Sequence, residues 1–377
     1  MEKPRGPAEE VWITGLGAVT AFGIGVDPFF EGCRRGQVAT SPVERFETGD
    51  LNCHVGGTVP GDWPLFRETE LSTRAAREAL EDARLTAGSD RGEVWLGVLQ
   101  PDADPLEQGL PCPGHAAPDR IAGIAGFGGF STSVATACSA AGISIALAAE
   151  RIRAGLCDVA LAGGVAGLFR AAFAGLCQMG GMADEVCRPF DAQRTGVIIG
   201  EGAGFVTLES PAHARARKAR PYARIAGAGI SCDATHPLAM DRSGKGVRRA
   251  LREAVESSGR EAGSIGLVVA HGTGTRLNDS TETESIREIY GPGPEVVSLK
   301  PPIGHTMSAS AALSVVLLCR MFRDRIRLGT TTLRDPDPEL PRLSFPRDAA
   351  PWEPRLSAVH AFGFGGQNVA LLLEPVP

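Results

Sequence analysis

The sequence has no surplus of basic charge, no C-x-x-C pair and no Walker-type lysine pattern, and each absence removes a class of function. Lys and Arg number 38 against 44 Asp and Glu, a formal charge of −6. Non-specific nucleic-acid binding needs a basic face to meet phosphates, so this balance argues against a nucleic-acid partner, while leaving room for a local basic patch. The nine cysteines (Cys33, Cys53, Cys112, Cys138, Cys157, Cys177, Cys187, Cys232 and Cys319) are odd in number and scattered, unlike a disulfide framework. With no C-x-x-C a zinc ribbon is excluded, and His271, Asp279 and His305 lack a ligand spacing, so no metal is expected. The first residues, MEKPRGPAEE, lack the apolar core of a signal peptide. The chain therefore reads as cytoplasmic with reduced thiols. Residues 121–149 carry no charge, long enough to suggest a membrane span. Gly, Ser and Thr recur through that stretch and a strand-like run meets a helix-like run at Cys138, so it reads instead as buried core, with no membrane span.

What is abundant is glycine and proline. There are 48 Gly and 27 Pro in 377 residues, about a fifth of the chain against a usual value of about 12%. They follow no short period, so they imply tight turns and close backbone approaches rather than collagen or disorder. Hydrophobic residues at 43% and charged residues at 22% are ordinary for a soluble globular protein. The length suggests two or three packed units with ample core.

Strand signals lie at Val11–Gly15, Val94–Val98, Ser133–Ala137, Val159–Ala162 and Gly204–Leu208, with a helical pattern from about Glu70 to Leu85. Pro101–Pro118 reads as loop. The helix opening at Ser139 has no polar stripe before Glu150 and should be buried on all sides. The second half repeats the order, with strands at Tyr222–Ala226, Ile265–Ala270 and Val296–Leu299 and near 356–361 and 368–373. Its helices are expected at Gly246–Ser258, Glu284–Tyr290 and Met307–Phe322. Val297–Thr306 mirrors Ser133–Gly142: in each, a strand delivers a reactive side chain to the start of a buried helix, a weak internal duplication. The charged segment Pro211–Pro221 is the seam between two similar halves, 1–215 and 216–377, and the alternation implies stacked α/β layers.

Cys138 is the strongest candidate for chemistry. A thiol at a helix N-terminus meets unpaired N–H groups and the positive end of the dipole, which favour thiolate and could hold an oxyanion. The competing reading is an inert buried cysteine, the usual fate of the residue. His271 ends an apolar strand and opens His271-Gly-Thr-Gly-Thr275; His305 follows Gly304 at a second strand-to-helix turn, five residues after Lys300. Two neutral imidazoles can donate hydrogen bonds to a thioester oxygen that gains negative charge, and a nearby lysine can fix their orientation. Each histidine alone reads more simply as structural, but three such residues at strand ends beside glycines form a constellation. His54, His115, His213 and His236 have no such setting. Gly363-Phe364-Gly365-Gly366 lets backbone N–H groups approach a ligand closely. Gly200–Gly204 and Gly15–Gly17 read as turns rather than dinucleotide fingerprints.

These pieces together resemble the β-ketoacyl-acyl carrier protein synthases of the thiolase fold, in their elongating Cys–His–His form. The resemblance runs from about Val11 to Glu374. It rests on Ile13-Thr-Gly-Leu-Gly17, Thr136-Ala-Cys-Ser-Ala140, Ala162-Gly-Gly164, Arg188-Pro-Phe-Asp191, Gly200-Glu-Gly-Ala-Gly204, His271-Gly-Thr-Gly-Thr275, Lys300 with Gly304-His305, and Phe362-Gly-Phe-Gly-Gly366. It implies two similar halves in a layered α-β-α-β-α arrangement. It also implies Cys138 as the acyl acceptor, His271 and His305 stabilising an enolate as carbon dioxide leaves, and Lys300 orienting the site. The N–H groups of Cys138 and Phe364 would form the oxyanion hole, and Glu282 would be a buried structural carboxylate. Thr273 and Thr275, with Phe362, Gly363, Gly365 and Gly366, would meet the substrate's pantetheine arm. The implied partners are acyl carrier protein and a second, identical or related, ketosynthase subunit, with no cofactor beyond the substrate's own phosphopantetheine.

Five departures from the family pattern stand out. Arg194-Thr195-Gly196-Val197 loses a bulky aromatic at Val197, His360-Ala361 replaces Asn-Ser, and Gly365-Gly366-Gln367-Asn368 replaces Gly-Gly-Thr-Asn. Thr306-Met-Ser-Ala-Ser310 lacks the expected glycine, and the stretch between Val98 and Cys138 is shortened. They point to a specialised polyketide or fatty-acid synthase. Three alternatives remain: a non-catalytic chain-length-factor-like partner, an acyltransferase without condensation, and a Cys–His hydrolase. A basic patch for the carrier protein is expected to draw on Arg67, Arg74 and Arg77, which read equally as a solvated helix face.

Overall fold

The structure, a computed structural model, describes residues 10–85, 88–99, 102, 105, 107–110 and 116–376. The first five longer strands are β1 (Val11–Thr20), β2 (Glu93–Gly97), β3 (Ser131–Val134), β4 (Val159–Ala166) and β5 (Gly202–Glu209). The next five are β6 (Ala223–Cys232), β7 (Leu267–Val269), β8 (Glu295–Val297), β9 (Ser357–Phe362) and β10 (Gln367–Pro375). The first set pairs in the order β1-β5-β4-β2-β3 and the second in the order β6-β10-β9-β7-β8. In each set the last two junctions are parallel and the first two antiparallel. The duplication is therefore one of topology. A short antiparallel pairing of Val11–Ile13 with Ala223–Ile225 joins the sets into one continuous sheet.

The helices follow the same duplication. After α1 (Val26–Arg34) come α2 (Arg67–Asp82), α3 (Ala116–Ala125), α4 (Ala140–Arg153) and α5 (Arg170–Gln178). The second half supplies α6 (Lys245–Ser258), α7 (Arg276–Ile289) and α8 (Ser310–Asp324). Helices α2 and α3 cover the outer face of the first strand set, α6 and α7 that of the second, and α4 and α8 lie between, which makes five layers. The middle helices carry small residues because they touch on several sides: a Cβ at Gly142 would lie 2.6 Å from Val369 of β10 and 3.2 Å from Ala311 of α8. Both helices are buried almost all round, so Cys138–Ala149, the later part of the uncharged stretch, is largely core; the earlier part is not, with Gly123, Ile124, Gly126 and Gly128–Phe130 exposed. No helix among the described residues is long and apolar enough to cross a membrane.

Several sequence expectations change. Gly15 and Gly17 are not turn residues; they lie inside β1, where a Cβ would sit 2.1 Å from Ala79 O and 1.9 Å from Ala75 O of α2. Their role is helix–strand contact at backbone distance. Gly202–Gly204 likewise belongs to β5. The segment expected as loop to Pro118 turns helical at Ala116, and His115 and Cys112 lie outside the described residues. Helix α7 begins at Arg276 rather than Glu284, because its first turns bury polar residues that give no apolar period. Part of the charged seam is a short helix, Pro211–Ala216, capped by the Ser210 side chain.

Candidate active site

Two parallel strand-to-helix turns bring the reactive groups together. Thr136 leads into a tight helical turn, Ala137–Ser139, which runs into α4; Thr306 leads into Met307–Ala309, which runs into α8. Ala137 (φ 49°) and Met307 (φ 41°) both adopt the left-handed backbone that non-glycine residues avoid at about 1–2 kcal/mol. This kink places Cys138 at the floor of a cavity of about 450 Å³, with its thiol directed at the backbone N–H groups of Phe364 and Cys138 itself. Gly363 is required there, since a Cβ would come within 2.8 Å of Thr136 O and 3.3 Å of the Cys138 nitrogen. Gly365 and Gly366 close the loop at φ 86° and 79°, leaving Phe364 part-exposed at the wall.

Contrary to the helix-terminus argument, the Cys138 thiol is not predisposed to ionise. Burial pushes it up to about 11, and the Lys300 charge and the two N–H groups offset only part of that cost. A proton therefore has to leave as the thiol reacts. Cys33, Cys157, Cys187 and Cys319 are also pushed up by burial, consistent with inert core thiols.

His271 and His305 face the same cavity, their rings perpendicular with centroids 5.2 Å apart. Burial first, and then the charge of Lys300, holds both imidazoles well below the usual histidine value, so both are neutral at pH 7. Nδ1 of His271 and both ring nitrogens of His305 are buried without a hydrogen-bond partner in the protein. Buried polar groups are seldom left so unless a ligand, a water or an ion completes them or they serve catalysis.

The loop that presents His271 is held from behind. Glu282 of α7 accepts the N–H groups of His271 and Gly272, each at 2.8 Å. Asp279, one turn earlier, accepts from Phe190 N and Gly274 N; burial raises its carboxyl to about 6. The Lys300 ammonium donates to the His271 carbonyl, and burial lowers it to about 8 while Glu282 supports its charge. Thr273 and Thr275 line the cavity with hydroxyls 2.9 Å apart, and the Phe362 ring packs 5.6 Å from His271. Cys138, Val197, His271, Thr273, Thr275, His305, Phe362, Gly363 and Phe364 thus line the cavity, Lys300 and Glu282 stand behind the His271 loop, and Gly365 and Gly366 turn away toward Gln367 and Asp233.

Apart from Asn278 the rest of the wall is apolar: Leu176 and Met179 at the end of α5, Ile199, Leu238, Met240 and Met307 join Val197. These were missed, because single Leu and Met residues spread over many turns leave no local signature. His360 stood out in the sequence only as a departure from the family pattern, with no role assigned. It is buried on β9 beside the glycine loop, with Nδ1 3.1 Å from Glu282. A histidine inside an apolar strand was the available signal. Arg67 is corrected: it is buried and paired with Glu201, which also accepts from Val59 N and Leu168 N, so it is no part of a surface patch. Arg74 and Arg77 are exposed.

Comparison with known proteins decides the family. Residues 8–214 match the description "Beta-ketoacyl synthase, N-terminal domain" and residues 222–333 "Beta-ketoacyl synthase, C-terminal domain". The chain belongs to the β-ketoacyl synthase family. Members of this family are acyltransferase-type enzymes of the thiolase-like fold. The chain is 30% identical to 3-oxoacyl-[acyl-carrier-protein] synthase 2 of Rhizobium meliloti (strain 1021), over 97% of this chain and 98% of that one. It is equally 30% identical to Nodulation protein E of the same organism, over 97% and 99% of the two chains. Among solved structures, the ishigamide ketosynthase/chain length factor superposes with a TM-score of 0.92 at 32% identity, covering 98% of this chain and 100% of that chain. A β-ketoacyl synthase from Burkholderia phymatum STM815 superposes at 0.89 with 27% identity, over 98% and 100%.

Proposed function

We propose that the protein is a 3-oxoacyl-[acyl carrier protein] synthase that extends an acyl chain held on Cys138. The observation that carries this reading is the pair of neutral, buried imidazoles with unpartnered nitrogens, facing the same cavity as a thiol set against two backbone N–H groups. Cys138 attacks the acyl thioester; its proton leaves with the carrier thiol as the C–S bond to the carrier breaks. Malonyl carrier protein then enters. Its carboxylate leaves as carbon dioxide, the C–C bonding pair becomes an enolate, and His271 and His305 donate hydrogen bonds to the enolate oxygen. The enolate carbon attacks the acyl-Cys138 carbonyl, whose developing oxyanion meets the N–H groups of Phe364 and Cys138. Collapse breaks the C–S bond to Cys138, releasing a chain two carbons longer on the carrier, and the expelled Cys138 thiolate takes up a proton from solvent, as its raised proton affinity favours.

The apolar wall and the small Val197 suit an extended, largely reduced acyl chain in polyketide or specialised fatty-acid synthesis, since each carbonyl buried without a donor costs about 1–3 kcal/mol. The partners in this reading are acyl carrier protein and a second ketosynthase subunit. Intact-mass measurement with acyl and malonyl carrier proteins tests it, comparing wild type with Cys138→Ala. A thioester adduct on wild type alone, followed by 3-oxoacyl carrier protein, is expected. An adduct without elongation would make the protein a plain acyltransferase. No adduct, alone or with a neighbouring synthase present, would make it a non-catalytic partner.

A further inference from the structure

Resting on that reading, we propose that His360 is a positioning residue for condensation: it holds the Glu282 carboxylate in place, and through it the His271 loop and Lys300. His360 stands where the family pattern has Asn, in the middle of β9 with 2% of its surface exposed. Both ring nitrogens are engaged. Nδ1 lies 3.1 Å from Glu282 Oε1, and Nε2 lies 3.2 Å from the hydroxyl of Tyr290, itself buried at the end of α7. With the proton on Nδ1, the ring donates to the carboxylate and accepts the phenolic hydrogen at Nε2, so one tautomer satisfies all three groups. Oε1 of Glu282 thereby holds the His360 ring and the His271 N–H together, while Oε2 holds the Gly272 N–H. The His360 and Phe362 rings, on the same face of β9, follow one another toward His271 in tilted contacts, at 5.7 and 5.6 Å between centroids.

The geometry makes Glu282 the junction between His360 and the reacting groups. It is faced by Asp279 and Asn278 on its own helix, by Tyr290 and His360, by the His271 loop and by the Lys300 charge. Lys300 is faced in turn by Cys138, Cys187 and Asp279. If the ring is removed, Oε1 of Glu282 keeps only the His271 N–H, while Oε2 keeps the Gly272 N–H and the Asn278 amide, so the carboxylate is held less tightly against rotation. It then drifts from Lys300 and releases the His271 backbone, and a displacement of about 1 Å at a reacting group costs about a hundredfold in rate. Acyl transfer to Cys138 does not use the imidazole pair in this way, so the two half-reactions should part.

The test uses the full-length protein with His360→Leu, which keeps bulk but no donor, and His360→Asn, which keeps a donor. Three readouts are compared: loading of Cys138 by intact mass, formation of 3-oxoacyl carrier protein, and the pH profile of Cys138 alkylation by iodoacetamide, which needs no carrier protein. With His360→Leu, loading is expected within about threefold of wild type, condensation at least about tenfold down, and the alkylation profile displaced upward by about half a pH unit or more, because Lys300 loses its supporting charge. His360→Asn is expected to restore all three. Wild-type condensation with an unshifted alkylation profile in His360→Leu overturns the proposal, and so does equal loss of loading and condensation without a shift. If wild type itself neither loads nor condenses, the synthase reading fails while the alkylation profiles still decide the role of His360. Should His360→Leu not fold, Tyr290→Phe replaces it; an unshifted profile there overturns the proposal.

Discussion

The two turns at the heart of the molecule have nearly the same backbone and opposite duties. Thr136-Ala137-Cys138 and Thr306-Met307-Ser308 each pass through a left-handed residue into a tight turn and then a buried helix; the next residues, Ala140 and Ser310, have φ/ψ of −55°/−49° and −55°/−45°. At the equivalent position one turn carries Cys138, whose thiol is left to face the cavity, and the other Ser308, whose hydroxyl is tied to Val165 O at 2.5 Å. The second turn contributes instead through the residue before it, His305, and through Met307 on the cavity wall. The same strand-to-helix device thus serves once to expose a nucleophile and once to seal the core and present a hydrogen-bond donor.

The comparison breaks most visibly at the equivalent pair. Cys138→Ala should abolish the acyl adduct. Ser308→Ala should keep adduct and product within about threefold of wild type and lower stability by about 1 kcal/mol in urea titration, the worth of one buried hydrogen bond. Next in size is His305→Ala. Product formation from malonyl carrier protein should fall about 100- to 1,000-fold while Cys138 still loads, as expected for a donor aimed at developing charge. Equal loss of both steps would mean that the second turn only supports the first.

A smaller effect separates the two turns by pH. Because Lys300 is lowered to about 8 in the fold from 10.5, its ammonium is lost as pH rises through about 8, and condensation should decline there. The sign for stability is opposite. Between about 8 and 10.5 the unfolded chain binds more protons than the folded one, so stability from this group rises with pH, and Lys300→Met should remove both trends. The smallest effects test the strained residues. Ala137→Gly should raise stability by about 0.5–1 kcal/mol by relieving the positive φ. Met307→Gly relieves the same strain but empties a buried side chain, for a net loss of about 2 kcal/mol. Chemical denaturation of both variants checks the difference in sign.

Cys138, His271, His305 and Lys300 were legible in the chain because each sits at the junction of an apolar run and a glycine-rich turn, and such junctions have local composition. The strand–helix alternation and its repetition were legible for the same reason, since side-chain period and turn residues act over a few positions. Arg67 shows the limit. Its helix pattern and charge fit a solvated face, and only the fold brings Glu201, 134 residues away, to bury it. Gly15 and Gly17 are alike in this: their need for glycine comes from Ala75 and Ala79 on a helix some sixty residues on.

Ionisation, cavity shape and the His360 network belong wholly to the tertiary level. The sign of the Cys138 shift turned on burial outweighing the helix N-terminus, and burial is a sum over neighbours from both halves. The apolar wall gathers Leu176, Val197, Met240 and Met307 from four separate segments. Local order along a chain dictates which residues can react, because backbone periodicity and turn chemistry are short-ranged. Desolvation and packing are long-ranged in sequence, so only the folded chain decides how those residues are charged, what space they face and what holds them still.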